Sequence, residues 1–245
     1  MRTRDLKAER RRHGWGQVDA AERLGVSQPY LAMLENGKRQ LTPALARRVV
    51  AAYGLPPTEL PVPLAFTGKV DGQRLVEDLA KLDYPGFAYV RTHVRSKNPG
   101  EVLLTALAQE NLEGRAAEAL PWLLLRYWRM DLTWLVVEAK KFDLQNRLGF
   151  VVNLARQLSE RGVEAERTQA LASLESLLES SRLAREDYFY RAPRNDRERQ
   201  WLFENRSEAA RHWNLLSDLR PEHLQYAAQQ RGKTPFTLEP VPGRT

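Results

Sequence analysis

The chain has 245 residues, enough for a small domain and a second of about 170 residues with its own core. It carries 38 Lys/Arg against 31 Asp/Glu, a net charge of +7 that suits contact with nucleic acid. It has no cysteine, which excludes thiolate catalysis, disulfides and cysteine-liganded zinc. With a charged N-terminus and no apolar run of membrane-span length, a cytoplasmic protein is expected.

In chain order, a first helix is expected over about residues 4–13, a second from Gln17 to Leu24, and a third after Ser27. Val18, Ala21, Leu24 and Val26 would face inward from the second helix and its turn, and Leu31 and Leu34 from the third, at the spacing of one helical face. Gly25 supplies the positive φ of a tight turn, Ser27 an N-cap and Pro29 a first-turn residue without an amide to satisfy. A fourth helix over about 43–53 and a short fifth near Thr58 would close the core with Leu6, Leu45, Val49, Val50 and Leu60. Two short helices joined at a glycine read as a helix-turn-helix, whose second helix enters the DNA major groove.

Gln17, the turn Leu24-Gly25-Val26-Ser27, Gln28 and the run Leu34-Glu35-Asn36-Gly37-Lys38-Arg39 resemble the signature of the phage-repressor (Cro/cI-like, XRE) family, over roughly Leu6 to Leu60. The resemblance implies that Gln17 clamps the DNA backbone while Ser27, Gln28, Tyr30 and Met33 face bases. Gln can bond adenine N6 and N7 together, and Pro29 and Met33 can touch a thymine methyl. Residues 1–62 hold eleven Lys/Arg against six Asp/Glu. Arg10, Arg11, Arg12, Asn36, Lys38 and Arg39 are therefore expected near phosphates, with Glu35 a local structural residue. One such module buries little surface, so a homodimer on palindromic double-stranded DNA is expected.

Leu55-Pro56-Pro57 and Leu60-Pro61-Val62-Pro63 mark a stiff exit at residue 62. Beyond it a helix is expected over 71–82, a turn at Tyr84-Pro85-Gly86, and a short strand over 87–94 from its weak alternation. Further helices are expected near 101–110, 115–129, 131–141, 144–161, 163–181 and 196–219, with a last one after Pro221. Asp131 and Asp143 are natural N-caps, and Pro121 should start or kink its helix. Trp122, Tyr127, Trp128 and Trp134 with Leu123–Leu125 mark an apolar centre, and Gly149 a close approach of another backbone. The fold class is thus mainly α: a five-helix DNA-binding domain over 1–62, a helical domain over 63–230 for partner binding or oligomerisation, and a flexible tail over 231–245.

Residues 99–107 and 146–154 resemble pieces of AbiEi-like antitoxins of type IV toxin–antitoxin systems. Those proteins join an N-terminal DNA-binding domain, commonly a winged helix, to a helical C-terminal domain. The resemblance implies a repressor that controls its own operon and binds a nucleotidyltransferase-like toxin. Arg147, Arg194, Arg197 and Arg199 are the candidate partner contacts, although Arg147 pairing internally and the others lying on a solvated face are open alternatives. The competing reading is a stand-alone regulator whose C-terminal domain dimerises or senses a small ligand. The four histidines share no metal-ligand spacing, and no phosphate loop, serine elbow or dinucleotide fingerprint is found. No enzyme activity, metal or cofactor is expected.

Overall fold

The computed structural model describes residues 3–228 apart from 64, 65, 67, 69 and 163, so the expected tail lies outside the described residues. The fold is mainly helical. The chain divides into two compact units, one ending at Val62 and the other beginning at Pro63.

The first unit contains α1 (Thr3–Arg12), α2 (Gln17–Leu24), α3 (Gln28–Glu35), α4 (Pro43–Ala52) and a 3-10 turn (Pro57–Glu59). Its core is Leu6, Ala20, Ala21, Leu24, Leu31, Leu34, Leu45, Val49 and Tyr53. Val18 does not join it and is 68% exposed. The inward face of α2 centres on Ala20, Ala21 and Leu24, and Val18 lies about 115° around the helix from that centre at 100° per residue. Val50 is only half-buried.

The second unit begins with α5 (Gly72–Lys81) and a 3-10 turn (Pro85–Phe87). The strand expected over 87–94 is absent. The turn takes Phe87, and Val90 to Asn98 run without turn, bend or ladder. The alternation is real but has no neighbouring strand to pair with among the described residues, and a strand exists only as part of a ladder.

Next come α6 (Pro99–Leu107), α7 (Gly114–Arg126), α8 (Leu132–Lys141), α9 (Gln145–Glu160) and α10 (Ala165–Glu179). Asn98 caps α6, its Oδ1 accepting the Gly100 N–H at 2.9 Å, with Pro99 in the first turn. Asp131 caps α8 through the Trp134 N–H. Asp143 is no cap: it sits at φ 56°, and α9 begins two residues later. α7 runs on through Pro121. A proline inside a helix costs about 3 kcal/mol, and the complete burial of Leu120, Trp122, Leu123 and Leu124 around it offsets that cost.

α9 is the central helix, packed against α6, α7, α8 and α10. The close neighbour of Gly149 is a side chain and not a backbone: a Cβ there would lie 2.4 Å from the Trp213 indole. The aromatic centre is buried, with Trp122 against Tyr84 at 5.3 Å and Tyr127 donating from its hydroxyl to the Leu82 carbonyl at 2.9 Å. Burial pushes the Tyr127 hydroxyl up to about 12.

The single helix expected over 196–219 is broken. In its place are α11 (Asp196–Asn205), α12 (Glu208–His212) and a strand at Leu215–Leu216, which pairs in parallel with Asp187–Tyr188. Ser207 caps α12 through the Ala210 N–H, and Asn214 leaves the helix at φ 54°. Both residue types compete with helix continuation. A 3-10 turn (Pro221–His223) and α13 (Gln225–Ala228) follow. Among the described residues no helix is long and apolar enough to cross a membrane.

Candidate nucleic-acid interface

Local chemistry sets α2 and α3 at a fixed angle. The Asp19 carboxylate accepts the Gly16 N–H at 3.1 Å, starting α2 so that Gln17 is its first residue. Gly25 ends it at φ 62°, and the Val26 N–H reaches back to the Ala21 carbonyl at 3.0 Å. Ser27 then opens α3 by accepting the Tyr30 N–H at 3.4 Å, with Pro29 in the first turn. Arg48 of α4 donates to the Gly25 carbonyl at 3.3 Å and ties the turn down.

α3 buries Leu31, Leu34 and Glu35. Its outward face therefore carries Pro29, Ala32, Met33 and Asn36, with Gln28 and Tyr30 on the flanks. Ser27, Pro29 and Asn36 are exposed, and Gln28, Tyr30, Ala32 and Met33 are half-buried. Tyr30 leans on the core of its unit. Ala32 also lies on this face, where helical spacing alone sets it beside Pro29 on the side away from Met33. The outward face is more apolar than the base-reading set expected from sequence, which suits thymine methyl groups.

One expected phosphate contact is corrected. Arg10 is 8% exposed and is committed inside the unit. Its Nε donates to Glu35 Oε1 at 2.6 Å, Nη2 to Glu35 Oε2 at 3.1 Å and Nη1 to the Trp15 carbonyl at 2.8 Å. A guanidinium buried on a carboxylate through both sides of its fork is not presented to DNA. Burial pushes the Glu35 carboxyl up, but hydrogen bonds from Arg10 and Gln17 and the attraction of Arg10 and Lys7 outweigh it, leaving the carboxyl below the usual carboxylate range.

The network continues outward. Gln17 Nε2 donates to Glu35 Oε2 at 2.9 Å, and Gln28 Nε2 donates to Gln17 Oε1 at 2.8 Å. The buried pair thus fixes the first residue of α2, which fixes the first residue of α3. Gln28 keeps its carbonyl oxygen and its second amide hydrogen for another partner. Arg11, Lys38 and Arg39 are exposed and have no acidic partner among the described residues, whereas Arg12 pairs with Glu9 at 2.8 Å. Gly37, at φ 70°, turns the chain so that Lys38 and Arg39 follow α3 directly.

The second unit separates its candidates. Arg147 is corrected: its guanidinium holds both oxygens of Asp187 at 2.8 Å and donates to the carbonyls of Leu107 and Gln109, so it is an internal brace and not a free contact. Arg199 is exposed but pairs with Glu186 at 2.6 Å. Arg194 and Arg197 are exposed beside Trp201 in a shallow groove and have no acidic side-chain partner among the described residues.

Residues 6–60 match the family model described as helix-turn-helix. No curated protein and no solved structure matches the chain. The N-terminal unit is a helix-turn-helix DNA-binding module.

Proposed function

We propose that the chain is a sequence-specific transcriptional repressor, binding a palindromic operator as a homodimer, and that its helical unit binds a protein partner. The observation that carries the DNA reading is the outward face of α3. It is flanked by Gln28, which is oriented through Gln17 and a buried ion pair, and followed by Lys38 and Arg39, which like the exposed Arg11 have no acidic partner among the described residues. Ser27, Gln28, Pro29, Ala32 and Met33 read base edges and methyl groups, while Gln17, Asn36 and the three cations hold phosphates.

The assay is anisotropy on an operator selected from the DNA upstream of the gene, with random duplex as reference. Gln28→Ala should weaken operator binding by about 1–3 kcal/mol and leave random DNA nearly unchanged. Equal losses on both would remove Gln28 from base reading.

The partner in this reading is a nucleotidyltransferase-like toxin encoded beside the chain, whose binding alters operator occupancy by linkage. The support is that the two segments resembling antitoxin sequences meet in the fold: Arg147 of α9 donates to the carbonyl of Leu107, the last residue of α6, and to that of Gln109 just beyond it. The chain acts here as a regulator without catalysis of its own. Co-expression with the neighbouring gene tests it, since the two should co-purify and growth should recover. Continued toxicity in the presence of the chain would remove the antitoxin role.

A further inference from the structure

We propose that Val90–Lys97 is a docking edge to which an extended acidic segment of a partner protein adds as a β-strand. Three independent observations converge on this segment. The first is its course: it runs without turn or bend, about 26 Å long at strand rise, and both ends are anchored. Val90 packs on the core of the second unit and donates its N–H to the Phe87 carbonyl at 2.9 Å. Lys97 pairs with the buried Asp78 at 2.7 Å, just before Asn98 caps α6.

The second is its backbone. From Arg91 to Lys97 the main chain makes one hydrogen bond among the described residues, from the Val94 N–H to Thr92 Oγ1 at 3.2 Å. The remaining N–H and C=O groups form an unpaired row, the template that recruits an added strand.

The third is its side chains. Tyr89, Arg91, His93 and Arg95 are exposed, and Val90, Thr92, Val94 and Ser96 are partly covered, the period-2 pattern of a strand. The exposed row contains no acid, and Arg91 and Arg95 have no acidic partner among the described residues. The two arginines lie about 13 Å apart on one face, four residues along the strand, and call for carboxylates opposite positions 91 and 95 of the docking edge. A phosphate chain would satisfy the charges but would leave the backbone row and the β-branched alternate positions unused, so a protein strand fits more of the segment.

This inference deepens the partner-binding reading and rests on it, so the experiment uses a synthetic probe that can fail without touching DNA binding. The probe is a fluorescein-labelled heptapeptide of alternating glutamate and valine, titrated against the full chain by anisotropy at low salt. The expected result is saturable binding that weakens about tenfold or more in the variant Arg91→Ser with Arg95→Ser, and by a similar factor when alternate peptide amides are N-methylated. Operator binding by the same variant, measured in parallel, should be unchanged, and it reports whether the N-terminal module is intact. N-methylated peptide binding as tightly as the parent would overturn strand addition. Oligothymidylate binding through the same two arginines more tightly than the peptide would reassign the edge to nucleic acid.

Discussion

Arg10→Met tests the buried pair that underlies the recognition face. The change removes three hydrogen bonds, two to the Glu35 carboxylate at 2.6 and 3.1 Å and one to the Trp15 carbonyl at 2.8 Å. The Glu35 side chain is 1% exposed, so water cannot replace the lost donors and only Gln17 still serves the carboxylate. Removing one partner of a buried pair costs about 3–5 kcal/mol. In a unit of this size that corresponds to a fall in Tm of about 12 °C or more.

The pH dependence should change sign. In the native unit the Glu35 carboxyl lies below its ordinary value, so its contribution is present above the unfolded pKa and is lost as pH falls through the folded one. Without Arg10, burial raises the folded pKa above the unfolded one, so stability should be lower at about pH 7 than at about pH 4. Urea melts followed by NMR at the Leu31 and Val49 amides, at both pH values, read this unit within the full chain. Two results would refute the reasoning. One is a loss below about 1 kcal/mol, the range of an exposed pair. The other is a double variant, Arg10→Met with Glu35→Leu, that is no more stable than Arg10→Met alone, since replacing both charges should recover most of the cost.

Gly149→Ala should destabilise the second unit by about 1–3 kcal/mol through overpacking against Trp213. Its cost should disappear in a Trp213→Leu background, as read by urea melts. Arg147→Met should lower the stability of that unit by about 3 kcal/mol; a variant of native stability that loses only partner binding would restore Arg147 as a contact. Arg11→Ser, Lys38→Ser and Arg39→Ser should each reduce the slope of log K against log salt by about 0.9 on operator and random DNA alike. An unchanged slope would place that residue away from phosphate.

The helix-turn-helix was legible because its determinants are local. Gly25 for a left-handed turn, Ser27 for a cap and apolar residues at helical spacing act within a few residues, and the structure places each in that role, with exposed Val18 and half-buried Val50 the exceptions. The helices from α5 to α10 were legible for the same reason, through signals such as the cap at Asp131, whereas Asp143 caps nothing and the Asn98 cap of α6 emerged only in the structure. The basic run Arg10-Arg11-Arg12 shows the limit: three identical residues have three fates, one buried on Glu35, one exposed without an acidic partner among the described residues and one paired with Glu9.

By itself the sequence determined the helical class and the helix-turn-helix module, because capping and periodicity are short-range. Tertiary structure alone decided that Arg10 serves Glu35 across 25 residues, that Arg147 braces Asp187 across 40, that Gly149 faces an indole, and that the alternation after Phe87 meets no partner strand. Each of these depends on which distant group arrives at a given surface. An ion pair, a close packing contact and a strand ladder are properties of two segments, and neither segment encodes the other's position.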